Sequence, residues 1–183
     1  MTTFLKQKGG YKKLCVYQVS VIIYDITFYF VQHFLKKGDR TIDQMLQAAR
    51  SDKQNIAEGS QAATTSAETE IKLTNVAKAS LEELLLDYED YLRVRNKVQW
   101  KKGHPRFEKV RAFARSQEIS WRYPTLLPKC DDEALANLCI TLIQQATYML
   151  RHLIEKQQEM FLQQGGIREQ MSFARSKNKY HNH

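Results

Sequence analysis

The chain is short of the residues that interrupt helices, with three Pro and seven Gly in 183 positions. Strict alternation of apolar and polar residues is almost absent as well. Together these shortages exclude a sheet-rich fold and favour long helices. Cysteine is also scarce: Cys15, Cys130 and Cys139 are odd in number and show no CxxC spacing. That pattern excludes a paired disulfide framework and fits a reducing cytoplasm. Cys15 and Cys139 fall on apolar helix faces, where a free thiol behaves as a small hydrophobe.

Catalytic spacings are missing too. Di-metal enzymes built on helical bundles need inward carboxylates and Glu-x-x-His pairs on opposing helices. This chain has no Glu-x-x-His and no His-x-x-x-His; His152-x-x-Glu155 runs in the reverse order, and His33, His104, His181 and His183 are scattered. No metal site and no cofactor is expected. There is no P-loop and no GxGxxG, and Gly165-Gly166 is a lone helix stop. Nothing in the spacing of Ser, His and Asp suggests a triad. The expectation is a protein that is not an enzyme.

What is present is apolar periodicity. At 43% hydrophobic the chain can bury one core, and its pattern predicts an all-α fold, an antiparallel up-down four-helix bundle. The first helix is expected from about Lys12 to Lys37, with Leu14, Tyr17, Val21, Tyr24, Phe28, Val31 and Leu35 as a heptad seam. Cys15, Ile22, Ile26, Tyr29, Phe30 and Phe34 lie beside that seam. A helix apolar on most sides is central in a bundle or covered by another subunit. The second helix is expected from Thr41, capped by its own hydroxyl, to Gly59, with Ile42, Met45, Ala49 and Ile56 inward. The third runs from Thr65 or Ser66 to about Lys97 on a seam of Ala77, Leu81, Leu84, Tyr88 and Tyr91. The fourth begins at Asp131-Asp132-Glu133 and continues through Leu135, Leu138, Leu142, Met149 and Leu153 to Gln164. Residues 1–164 make the bundle, including a connection at 98–130, and 165–183 make a basic tail.

Leu14 to Val31 is about one bilayer long, with Asp25 as its only charge. Asp25 near its midpoint would add roughly 2.5–3.5 kcal/mol to insertion, so a buried bundle helix is expected and no membrane partner. The opening MTTFLKQKGGYKK has no apolar stretch followed by a small-residue cleavage site, so secretion is not expected. Asp25, Asn55 and Glu58 place polar groups within apolar helical runs. Buried, they would hydrogen-bond one another, the backbone or Arg50 and hold the helices in register; a ligand site is the alternative.

Charge is unevenly spread over the net +8. Arg93, Arg95, Lys97, Lys101, Lys102, Arg106, Lys109, Arg111, Arg115, Arg122 and Lys129 stand against only Glu108 and Glu118. Aromatics interleave with them: Trp100, Phe107, Phe113, Trp121 and Tyr123. Such a segment can neutralise phosphates and stack on unpaired bases. Equally, its cations can keep a loop solvated while Trp100 and Trp121 pack onto the bundle and anchor it.

The stretches GDRTIDQMLQAARSDKQNIAEGS and TSAETEIKLTNVAKASLEELL resemble the bacterial four-helix-bundle proteins of the 23S rRNA intervening-sequence family, in the four helix bundle suffix domain branch. Gln44, Ala48, Ser51, Asn55, Ile56, Ala57, Glu58 and Gly59 match the family's second-helix pattern, and Ala77, Ser80, Leu81 and Glu83 match a later one. Gln47 and Asp52 depart from it, standing where the pattern has Arg and Ile. The resemblance implies an up-down bundle and a homo-oligomer. The related accessory protein of diversity-generating retroelements is a homopentamer that works with nucleic acid; most members have no assigned activity. The expectation is a cytoplasmic oligomer binding RNA or single-stranded DNA through Arg93, Arg95, Lys97, Trp100, Lys101, Lys102, Arg106, Lys109, Arg111, Arg115 and Arg122. The alternative is a protein-interaction adaptor without direct nucleic-acid binding.

Overall fold

The computed structural model describes residues 10–166 together with 169, 171, 172 and 176; most of the expected basic tail lies outside these. Among the described residues every regular element is helical: α1 (Cys15–Phe34), α2 (Arg40–Ala62), α3 (Ala67–Val94), α4 (Phe107–Arg115), α5 (Ile119–Leu126) and α6 (Asp132–Gln164), with 3-10 turns at Tyr11–Lys13 and Leu127–Lys129.

Acidic or hydroxyl side chains cap three of the long helices. Asp39 accepts from the Thr41 N–H at 2.9 Å, Ser66 from Thr69 at 3.1 Å and Asp131 from Ala134 at 2.7 Å. Thus α2 starts one residue earlier than expected, because the Asp39 carboxylate is a stronger partner for the helix N-terminus than the Thr41 hydroxyl. Its far end also differs. Gly59 does not stop α2, which continues to Ala62. Its missing side chain instead admits α3: a Cβ there would stand 3.4 Å from both the Glu70 carbonyl and Leu73 Cβ.

The long helices α1, α2, α3 and α6 pack as successive pairs, α1 on α2, α2 on α3, α3 on α6 and α6 on α1, around one core. The expected seam of α3 is buried throughout, as are Met45, Ala49 and Ile56 of α2 and Leu135, Leu138 and Leu142 of α6; Ile42, Met149 and Leu153 are half-buried. The seam expected for α1 is only partly the inward one: Val31 is in the core and Leu35 packs against it. Val16, Val19, Ile23, Ile26 and Phe30 line the core, whereas Leu14, Tyr17, Val21 and Tyr24 are half-buried and Phe28 is exposed. Both stripes have helical spacing. The Val/Ile stripe can be dried completely, while the tyrosines keep their hydroxyls near water. Cys15, expected on an apolar face, is exposed.

By length and composition α1 could cross a membrane, and half of its apolar window is buried inside the protein. At mid-core the Tyr88 hydroxyl donates to Thr27 Oγ1 at 3.0 Å, and Thr27 donates to the Ile23 carbonyl at 2.7 Å. Cys139 Sγ lies 3.8 Å from Thr27 Oγ1, so α1, α3 and α6 meet at one polar node. Burial pushes the Cys139 thiol up to about 12, which leaves it protonated and unreactive.

Candidate functional site

The segment that carries the cations is an ordered cap, not a loose loop. α3 ends where Asn96 adopts a left-handed φ of 53° and the Lys97 N–H returns to the Leu92 carbonyl at 2.9 Å. From there the chain runs along the first turns of α6. The Val98 N–H donates to Glu133 Oε2 at 3.1 Å, and the Trp100 indole donates to Glu133 Oε1 at 3.0 Å. The buried Asn137 amide accepts from the Trp100 N–H at 2.7 Å and donates to the Val98 carbonyl at 2.9 Å. Lys97 pairs with Asp132 at 2.9 Å, and Asp132 also accepts from the Tyr91 hydroxyl at 2.6 Å. Partial burial pushes the Asp132 carboxyl up, but the bonds from Tyr91 and Lys97 outweigh it and hold the group below the usual range. The Val98 N–H, then Trp100 and nearby cations, do the same for Glu133. The acidic start of α6 is thus both a helix terminus and a latch for the connection.

Beyond the latch the connection folds into two short helices, α4 and α5. Ser116 takes an extended ψ of 154°, and both its N–H and its hydroxyl return to the Phe113 carbonyl, at 3.1 and 2.9 Å. This capping stops α4, and α5 restarts at Ile119. α4 packs on α6, and α5 packs on α1 and α4. Ala114 and Ile119 are buried, and Val110, Phe113 and Tyr123 pack against the core. Pro124 sits inside α5 and removes one backbone donor from a helix of only two turns.

The cations of this cap fall into three groups. Arg93 is paired with Asp90 at 2.8 Å, Lys97 with Asp132, and Arg122 with Glu118 at 2.8 Å. Arg95 lies over the Tyr91 ring at 3.9 Å, Arg106 over Trp100 at 5.1 Å and Arg111 over Phe107 at 5.8 Å; none of these three makes an ion pair among the described residues. Lys101, Lys102, Lys109, Arg115 and Lys129 are exposed and make no ion pair among the described residues. Trp100 takes the anchoring role. It is only 9% exposed, its ring stacks on His104 at 5.4 Å, and its indole N–H is committed to Glu133. Trp121 is 66% exposed.

Asp25, Asn55 and Glu58 are not brought together. Half-buried Asp25 accepts from the Tyr123 hydroxyl at 2.5 Å, which ties α1 to α5. Asn55 donates within its own helix to the Ser51 carbonyl at 2.8 Å and Ser51 Oγ at 3.1 Å. Glu58 is exposed. The buried carboxylate among the described residues is instead Asp52, at 0% exposure. Neither of its oxygens has a hydrogen-bond partner within normal geometry. Burial pushes it up to about 7, and the neighbouring Ser20 hydroxyl only partly opposes this. One signal in the sequence pointed to it: Asp52 stands where the resemblance has an apolar residue.

No group of three or more His, Cys, Asp or Glu able to hold a metal ion occurs among the described residues. A groove of about 640 Å³ between α2 and α3 is lined by Asp43, Gln47, Ser51, Ser80 and Glu83 among others; its charged groups are acidic, so it is chemically distinct from the cationic cap. Comparisons with protein-family models, with curated proteins and with solved structures find no match to this chain.

Proposed function

We propose that this chain is a non-enzymatic, oligomeric, antiparallel up-down four-helix bundle, with α4 and α5 as a cap, that binds RNA or single-stranded DNA through the cap's basic surface. The observation that carries this reading is the set of exposed, carboxylate-free cations Lys101, Lys102, Lys109, Arg115 and Lys129 on a segment latched to α6. A cationic surface held on ordered helices offers phosphates a site whose ordering entropy was lost on folding. Arg95, Arg106 and Arg111, each over a ring, add positive potential.

Oligomerisation is supported by the outer stripe of α1, where Phe28 is exposed and Leu14, Tyr17, Val21 and Tyr24 remain only half-buried. Fluorescence anisotropy with a labelled single strand tests the binding. Affinity falls as salt rises, with a slope of roughly −0.7 per phosphate engaged. The quadruple variant Lys101→Glu/Lys102→Glu/Lys109→Glu/Arg115→Glu loses binding while retaining its helical circular dichroism. Binding unchanged in that variant contradicts the proposal. Retention of a protein partner after nuclease treatment, with no strand bound, favours the adaptor alternative.

A further inference from the structure

The chain has two tryptophans, and the fold assigns them opposite roles. Trp100 is buried against the latch. Trp121 is 66% exposed and has no aromatic, cationic or hydrogen-bonding side-chain partner among the described residues. It is nonetheless held firmly. Ile119 and Tyr123 lie one turn apart on α5 and share its inward face; Ile119 is buried, and Tyr123 is bonded to Asp25 across to α1. Trp121, midway between them in sequence, must point outward.

Its neighbours in the chain are mostly polar. Gln117, Glu118, Ser120, Arg122 and Thr125 are all exposed, with Pro124 the one exposed apolar residue among them, so the indole does not sit in an extended apolar run of the kind that marks a protein–protein interface. The Glu118 carboxylate is already engaged by Arg122. Unpaired Arg115 closes α4, which packs against α5. An exposed ring on a helix whose packing neighbour ends in a free cation suits a base-stacking platform, because every nucleobase offers a π face and its phosphate follows the charge.

We propose that Trp121 stacks on an unpaired base of a strand whose phosphates lie on Arg115 and the other free cations of the cap, so that the surface selects single strands over duplex. This rests on the nucleic-acid reading above and adds to it the residue that meets the base and the discrimination against duplex. Bases within a duplex are stacked on each other, and their faces are closed to the indole.

The test uses the full chain with a labelled 15-nucleotide oligouridine, an oligothymidine of the same length and a blunt duplex. Trp121→Ala weakens single-strand binding by about tenfold, leaves the salt slope unchanged and does not alter duplex binding. Its melting temperature matches wild type, since the ring is exposed. Adding unlabelled strand quenches wild-type tryptophan emission, and this quenching is absent in Trp121→Phe, where only buried Trp100 reports. Wild-type affinity in Trp121→Ala, with binding still abolished by the quadruple charge reversal, overturns the stacking role and leaves the basic surface intact. An equal loss for strand and duplex overturns it too, as does loss of a protein partner with strand binding intact. No binding of any nucleic acid by wild type at low salt removes both proposals.

Discussion

The Tyr123 hydroxyl and the Asp25 carboxylate, 98 residues apart in the chain, meet at 2.5 Å and join the cationic cap to the helix that opens the fold. Burial and then the carboxylate itself push Tyr123 up to about 12, so it remains a donor throughout the physiological range. Tyr123→Phe removes this donor and leaves Asp25 half-buried without it. Stability falls by about 1–3 kcal/mol, the usual range for a hydrogen bond to a charged group. Hydrogen exchange should accelerate over 119–126 more than over α3. Uniform protection in the variant would refute the tie.

Asp52 makes stability depend on pH in an unusual direction. Its folded-state value, about 7, lies above the model-compound 3.8, so the native state holds the proton more tightly than the unfolded chain. The stabilisation is complete below about 4 and is lost as pH rises through 7. Asp52→Asn removes the dependence. Denaturant titrations at pH 5 and pH 8 should therefore show wild type losing stability relative to Asp52→Asn, by up to a few kcal/mol. A difference that is flat or opposite in sign between the two pH values contradicts the assignment.

Gly59 separates tolerance of one carbon from intolerance of several. A Cβ would sit 3.4 Å from the Glu70 carbonyl and Leu73 Cβ, at the tight edge of ordinary contact. Gly59→Ala is therefore neutral or stabilising by up to about 1 kcal/mol through helix propensity. Gly59→Leu forces α2 and α3 apart and destabilises by about 1–3 kcal/mol or more. Thermal melts of the two variants should move apart; similar melts would mean that the helices are not closely packed there.

Asn137→Ala orphans the Val98 carbonyl and the Trp100 N–H at once. The expected loss is about 1–3 kcal/mol, together with a red shift of Trp100 emission in a Trp121→Phe background. Trypsin should then cut after Lys101 and Lys102 faster than in wild type. Unaltered proteolysis would show that Asp132 and Glu133 hold the latch without Asn137.

Thiol labelling should follow burial. Exposed Cys15 reacts first, half-buried Cys130 more slowly, and buried Cys139 only on unfolding. Native-state labelling of Cys139 would contradict the closed core.

The helical class and the extent of the long helices were legible because their apolar spacing exceeds what any turn or strand supports, and α3's seam was placed residue by residue. α1 was not so placed. It carries two apolar stripes, and periodicity cannot say which one is dried, whereas side-chain chemistry can: Val and Ile went inward, and Tyr stayed at the edge. Gly59 looked like a stop because a helix-breaking residue and a close-packing residue are the same residue in sequence. The cations were legible as a cluster. Their division into paired, ring-covered and free was not, since Asp132, Glu133 and Asn137 act on Lys97, Val98 and Trp100 from more than 30 positions away. Asp52 was overlooked in favour of Asp25 and Glu58, although its place three residues after Ala49 and four before Ile56 puts it on the inward face of α2.

The latch also sets an order of events during synthesis. Lys97, Val98 and Trp100 take their long-range polar partners from Asp132, Glu133 and Asn137, so a ribosome-bound chain still lacking α6 has no latch against which to seat Trp100. The cap is therefore latched only after α6 has left the ribosome, and a chain truncated before Asp132 carries the same cations on an unlatched segment.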